Sequence, residues 1–344
     1  MQNQRVLISL IGVIALVAAG FVLKTAQAVI LPLVIAWFLS YIFAPPINFM
    51  ARRRVPTGLA VGIVMILLFG FFYLTGLFLY DRSMAFVAEY PKYADQFTQI
   101  TTAIAGRYTM PSWLSLGEID WKQQIGRHLL AFSGSFITFT GNLAMVLVFL
   151  IFMLLGKPYF ESKVQHAFPD EQGKRIAGVT ASIAHQISRY LYVKLILSTV
   201  SSVLVWIVLV IGKSDFPLTW AVLAFLLSFI PSIGTVLASV PPVLLAFVQF
   251  YPNFWVAAGI AIALLIIHQV VGCFVEPKVM GDNLNLSPMV ILLSLVFWGW
   301  LWGITGALLA VPIAAAIKIV CENIEMLKPV GAMMGADTHR SKPV

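Results

Sequence analysis

The sequence predicts an all-α fold: a polytopic inner-membrane helical bundle with broken or re-entrant helical hairpins and a small external helical segment. Three observations carry that expectation. Of 344 residues, 60% are hydrophobic and 10% are charged, and the mean hydropathy is +0.94; ordinary soluble domains carry about 25% charged residues. Long windows contain no Asp, Glu, Lys or Arg, and about 20 apolar residues cross a bilayer as a helix. Two of those windows are interrupted by proline and glycine. Backbone groups in lipid must pair within their own segment, which selects helices over open sheet.

The elements follow in chain order. Val6–Leu23 is the first apolar window. Further apolar stretches follow it, so it reads as a retained helix and not as a cleaved leader. Val29–Met50 and Val55–Tyr80 are the second and third spans, giving an N-terminal region of three transmembrane helices over residues 1–80. Residues 81–128 are expected to be an external helical segment. There Val87, Tyr90, Tyr93, Phe97, Ile100 and Ile104 recur at the helical period, and Pro111 ends the stretch. Residues 129–156 form the fourth transmembrane helix. Residues 157–194 form a cytoplasmic amphipathic segment, with Ile176, Val179, Ile183, Ile187 and Tyr190 as its apolar stripe between basic flanks. Residues 195–320 make a C-terminal membrane core, and residues 321–344 a cytoplasmic tail.

Orientation comes from the short loops. Arg52, Arg53 and Arg54 sit between the second and third spans, and short basic loops stay in the cytoplasm. Both termini are therefore expected there, with Lys24 and Lys213 outside and Lys194 and Lys278 inside. The same rule accounts for the net charge of +8. The basic residues lie at helix ends and not in a stripe interleaved with aromatics, which argues against a nucleic-acid partner.

The membrane core is the informative part. Phe216–Val275 carries no charged residue. Its first stretch, Phe216–Ile230, is short and is broken by Pro231-Ser232-Ile233-Gly234; the next contains Pro241-Pro242; Phe254–Val275 is a full span. Asn283–Ile317 behaves alike, with Gly303 and Gly306 breaking it after Trp300. Short, Gly/Pro-broken segments are the best sequence pointer to a transporter's binding region. Leu237-Ala238-Ser239-Val240-Pro241 resembles Leu308-Leu309-Ala310-Val311-Pro312, and both follow a glycine-containing break, a hint of an internal repeat.

Polar residues inside a span are expensive and face the bundle interior. His268-Gln269 is the strongest such pair, and Glu276 lies seven residues after Gln269, on the same face of a regular α-helix. Ser228, Ser232, Thr235 and Ser239 form a polar stripe if helical geometry persists through Pro231. Asp282 sits in the turn Gly281-Asp282-Asn283-Leu284-Asn285, and Trp298, Trp300 and Trp302 read as packing or anchoring residues. The expected transport path or gate is Pro231, Ser232, Gly234, Pro241, His268, Gln269, Glu276, Asp282 and Gly303. No catalytic motif, metal-ligand spacing or cofactor signature is visible. Cys273 and Cys321 have no partner at a redox or metal spacing.

Several stretches carry recognisable motifs: Phe229-Ile230-Pro231-Ser232-Ile233-Gly234 with Ala238-Ser239-Val240-Pro241-Pro242, and Glu276-Pro277-Lys278-Val279-Met280-Gly281 with Leu286-Ser287-Pro288. Leu293-Ser294-Leu295-Val296-Phe297-Trp298-Gly299-Trp300-Leu301 with Gly303, Gly306 and Val311-Pro312 adds to them, as does Arg54-Val55-Pro56. Together they resemble the autoinducer-2 exporter family; the resemblance covers essentially the whole chain and is most specific in residues 216–320. It implies a bacterial inner-membrane transporter, export of a furanone-type signal or sodium–proton antiport, and a homo-oligomer, with a pentamer as one form. The leading expectation is a carrier that exports a small polar signal such as autoinducer-2. The first alternative is a Na+/Li+–proton antiporter using Glu276 and Asp282. The second is a membrane scaffold without transport, working through residues 81–128 and 157–194.

Overall fold

A computed structural model of the chain describes residues 2–105, 141–156, 159, 163, 167, 171–230, 233–280 and 285–336. The fold is all-α. Its helices are α1 (Gln2–Thr25), α2 (Gln27–Arg52), α3 (Thr57–Ala105), α4 (Gly141–Gly156) and α5 (Glu171–Ile211). They continue with α6 (Pro217–Leu227), α7 (Ile233–Gln249), α8 (Phe254–His268), a π-helical segment (Gln269–Val275), α9 (Glu276–Met280), α10 (Pro288–Asn323) and α11 (Lys328–Met334). Among the described residues, five helical stretches are long and apolar enough to cross a membrane: Gln27–Arg52, Thr57–Phe86, Ile176–Ile211, Phe254–Gly272 and Pro288–Asn323. Pro111 and residues 106–140 lie outside the described residues.

The boundaries expected at 80/81 and 194/195 fall inside the continuous helices α3 and α5. Charged residues mark where a helix leaves the apolar layer, not where its hydrogen bonding stops; Asp81, Arg82 and Lys194 are all helical. The chain divides into two compact units: Met1–Phe69, Gly141–Tyr192 and Asp282–Val344 make one, and Gly70–Thr140 and Val193–Gly281 the other.

In the first unit α2 carries Pro32, Pro45 and Pro46 inside its length. A proline has no N–H, so it leaves the carbonyl four residues earlier without its helical donor. Pro45 and Pro46 thereby release the carbonyls of Tyr41 and Ile42. Both are taken by hydroxyls from α5: Ser188 Oγ donates to Tyr41 O at 3.3 Å, and the Tyr192 hydroxyl donates to Ile42 O. The expected apolar stripe on this part of α5 is buried at Ile183, Ile187 and Tyr190. Tyr192→Phe should leave the Ile42 carbonyl bare and lower stability by about 1–3 kcal/mol. Thermal unfolding in detergent measures it, and an unchanged midpoint would mean that this carbonyl has another donor.

The same unit contains α10, which is not one rod. Trp302 (φ −126°, ψ 15°) and Gly303 (φ 64°, ψ −145°) leave helical geometry, and the Gly303 conformation is close to glycine-only territory. Ser294 Oγ donates to Ala310 O at 2.8 Å, although 16 residues of straight helix would separate them by about 24 Å. The limbs are therefore antiparallel. At Gly306 an added Cβ would lie 2.0 Å from Trp298 O. Without a side chain there, the two limbs close backbone to backbone. The tip is anchored on α1: Trp302 Nε1 donates to Leu23 O at 3.2 Å, and Lys24 Nζ sits 4.4 Å over the Trp300 ring. Trp298 packs on Trp302 at 4.8 Å. At the other end Ser287 N–H bonds Met334 O at 2.9 Å and Ala336 N–H bonds Asn285 O at 3.1 Å, tying α11 to the start of the hairpin.

In the second unit α6 and α7 form another hairpin. The 11 residues of α6 reach about 16 Å, half of a 30 Å hydrocarbon core. At its mouth, Asp215 N–H bonds Gln249 Oε1 and Gln249 Nε2 bonds Lys213 O, both at 2.9 Å. Both ends of the hairpin therefore lie at one level. Gly234 sits just past the bend, where an added Cβ would fall 1.8 Å from Leu227 O. The two stretches of similar sequence, at 237–241 and 308–312, thus each follow a glycine pressed against the carbonyl of the preceding limb.

Candidate functional site

The second unit brings most of the expected path residues onto one group of helices. Val205 and Leu209 of α5 pack with Ala257, Ile260 and Leu264 of α8, and with Ala224, Ala238 and Ala246 of the α6–α7 hairpin. Two contacts fix the pairing of α5 with the stretch α8–π–α9. Gly212 meets Ile260, whose Cδ1 would lie 2.8 Å from a Cβ at that glycine. Lys194 Nζ bonds Glu276 Oε1 at 2.5 Å. The helices are therefore antiparallel, and His268, eight residues from both Ile260 and Glu276, lies level with residue 203 of α5, the middle of the paired stretch.

The buried face of α5 is polar from its Lys194 contact up to about the level of His268. Lys194 is 2% exposed, Ser198 1% and Ser201 3%, spaced four and three residues apart; His268 opposite is 9% exposed. Ser198 Oγ, Ser201 Oγ and His268 Nδ1 have no hydrogen-bond partner among the described residues. Ser202, the neighbour of Ser201, is occupied: its hydroxyl donates to Ala221 O of α6 at 2.7 Å. The carboxylate of Glu276 is held by Lys194 from α5, 82 residues away in sequence. Lys194 lies 17 residues before Ile211, about 26 Å along the helix, near the far border of a hydrocarbon layer that starts at the Gly212 end.

Two sequence expectations change here. Gln269 and Glu276 share a face only if the helix between them is α. Gln269–Val275 is instead π-helical, and the Glu276 N–H bonds Val271 O, five residues back. The wider turn takes the two side chains off a common face: Gln269 is exposed and Glu276 half-buried. Such π segments are rare and concentrate at functional sites. The second change concerns the serine stripe. It needs a helix through Pro231, but α6 ends at Leu227 and α7 restarts at Ile233. Ser228 turns back to bond Ala224 O at 2.6 Å.

Of the other expected residues, Gly234 and Pro241 belong to the α6–α7 hairpin, and Gly303 forms the α10 bend in the first unit. Pro231, Ser232 and Asp282 lie outside the described residues. Lys194, Ser198 and Ser201 were missed by sequence reasoning. Charge-free windows place a lysine at a border by construction, yet the spacing 194, 198, 201, 205, 209 of the buried α5 face was available in the sequence.

A second polar group lies at the mouth of the α6–α7 hairpin. Tyr93 of α3 donates to Asp215 Oδ2 at 2.6 Å, and Lys92 Nζ reaches the same oxygen at 3.2 Å. Glu89 Oε2 is 3.2 Å from the Tyr93 hydroxyl. Burial, and then the Asp215 carboxylate, push the Tyr93 phenol well above its ordinary value, so it stays neutral and works as a donor. A cavity of about 310 Å³ opens beside this group, lined by Arg82, Glu89, Asp215 and residues 216–219.

With this geometry in place, likeness to known proteins becomes informative. Residues 8–326 match the family described as AI-2E family transporter. A Borreliella burgdorferi protein, assigned to transport by name alone, is 36% identical over 94% of this chain and 89% of its own. A Haemophilus influenzae protein of the same designation is 32% identical over 97% and 98% of the two chains. The AI-2 transport protein TqsA of Escherichia coli is 30% identical over 93% of each.

Proposed function

The chain belongs to the AI-2E transporter family, a family of multi-pass membrane proteins, and on that premise we propose that it exports a small polar signalling solute such as autoinducer-2 across the bacterial inner membrane. The observation that carries this reading is the polar stretch of the α5–α8 seam, packed against a hairpin that turns back within its own unit. Membrane-spanning helices bury polar side chains where a path or a partner needs them. Non-helical backbone at membrane depth is tolerated only against protein or a water-filled space. The substrate is supported by the family description and by the printed name of one relative. We place both termini in the cytoplasm and the active form in a homo-oligomer.

Lys194 already holds the Glu276 carboxylate, which supports a carrier of uncharged solute over a sodium site at that carboxylate. The test is the distribution of labelled autoinducer-2 in cells lacking the protein, and its uptake into inverted vesicles that contain it. Deletion should raise the intracellular signal and lower the extracellular one, with vesicle uptake restored by the wild-type chain. Unchanged levels on both sides would remove this substrate, and sodium- or lithium-driven dequenching in the same vesicles would favour antiport.

A further inference from the structure

We propose that the cavity at the mouth of the α6–α7 hairpin is a binding site for a neutral, polyhydroxylated solute. The cavity measures about 310 Å³ and is walled by Arg82 and Glu89 of α3 and by Asp215, Phe216, Pro217 and Leu218 around the start of α6. All of these residues belong to the second unit. Small-molecule sites run from about 300 to 1,000 Å³ and combine apolar walls with a few convergent polar groups; this wall has both.

Counting protons shows which bonds the wall has left to make. A phenol carries one O–H. That of Tyr93 goes to Asp215 Oδ2 at 2.6 Å, and the Glu89 oxygen at 3.2 Å is the poorer acceptor. Lys92 Nζ reaches the same Asp215 oxygen at 3.2 Å. The Glu89 carboxylate and Asp215 Oδ1 therefore keep lone pairs for solute O–H groups. The Arg82 guanidinium, 5.5 Å over the Phe78 ring, keeps N–H groups to donate to solute oxygens. Charge selects a neutral ligand. The carboxylates of Glu89 and Asp215 are matched by the cations of Arg82 and Lys92, and Lys92 is already paired with Asp215. A free anion would meet Glu89, and a free cation would meet Arg82.

Phe216 supplies the apolar face. Its ring meets Phe86 edge-on at 5.7 Å, and Phe86 stacks on Tyr93 at 5.9 Å, so the ring is braced from α3. The Phe216 backbone is left-handed, with φ 58°, an outlier for so bulky a residue. Strain of this kind collects at ligand clamps and active sites. An aromatic ring beside hydroxyl acceptors suits a sugar-like solute, whose C–H face packs on the electron-rich ring. That this solute is the exported one rests on the transport reading above; the chemistry of the cavity does not.

The test uses purified full-length protein in detergent, with saturation-transfer NMR reading bound D-ribose. The wild type should give a saturable signal from D-ribose and none from ribose 5-phosphate, whose charge meets Glu89 and Asp215. Glu89→Ala and Arg82→Ala, both at exposed positions, should each weaken ribose binding about tenfold or more, the loss of a charge-assisted bond. Either variant decides alone should the other fail to fold. A ribose signal that is absent from the wild type, matched by ribose 5-phosphate, or unchanged in the variants overturns the proposal. Ribose binding that depends on Glu89 and Arg82, beside wild-type vesicles that fail to move autoinducer-2, keeps the site and sinks the transport reading. Intact export with no ribose binding sinks the site alone.

Discussion

Lys194→Met alone should destabilise the protein by about 3 kcal/mol, and Lys194→Met combined with Glu276→Met should recover most of that loss. Breaking a buried ion pair from one side leaves an uncompensated charge, which costs about 3–5 kcal/mol, whereas replacing both partners with apolar groups is often neutral. The low end applies because the Glu276 side chain is 21% exposed while that of Lys194 is only 3% exposed. Glu276→Gln should fall between the two, since its amide oxygen still accepts from the lysine. Melting temperatures of the wild type, Lys194→Met, Glu276→Met and the double variant in one detergent form the cycle. Additive losses in the double variant would mean that the two residues are not coupled, and the α5–α9 pairing drawn from them would fail with it.

The second large effect is expected at the bends. Gly306→Ala puts a Cβ 2.0 Å from the Trp298 carbonyl oxygen, and Gly234→Ala puts one 1.8 Å from that of Leu227. Overpacking a core ordinarily costs about 1–3 kcal/mol, because side chains and backbone shift a little. Here the obstructing atom is backbone on the opposite limb, so the limbs must separate and the loss should exceed that range. Gly299→Ala is the internal control: its Cβ would meet the Ala307 Cβ at 3.8 Å, an ordinary contact, and the change should be close to neutral. Unfolding midpoints together with vesicle transport measure both. A Gly306→Ala protein within about 0.5 kcal/mol of wild type would show that the limbs of α10 are not held face to face.

Much of this fold is legible in the sequence because lipid imposes few choices. A charge-free window has to be helical, and a proline or glycine group inside it has to bend somewhere. Pro231 and Gly303 announced both hairpins, and the family resemblance pointed to the same stretches. The residues that were hard to read share one cause: their roles are set by partners far along the chain. Lys194 looked like a border lysine because its carboxylate lies 82 residues downstream. The π-helical turn at Gln269–Val275 has no compositional signature, so α periodicity placed Glu276 on the wrong face. Charge was informative about depth but silent about where a helix ends: α3 and α5 run unbroken through Asp81, Arg82 and Lys194.

Pro45 and Pro46 of α2 and the hydroxyls of Ser188 and Tyr192 on α5 form a lock-and-key register between segments about 150 residues apart. Sliding one helix by a turn past the other would strip two carbonyls of donors where no water can replace them. A chimera that imports α2 from a relative with ordinary residues at positions 45 and 46 would have to exchange Ser188 and Tyr192 as well, or carry two idle hydroxyls into the bilayer. Ancestral reconstruction and helix swapping in this protein should therefore treat those four positions as a single inherited unit.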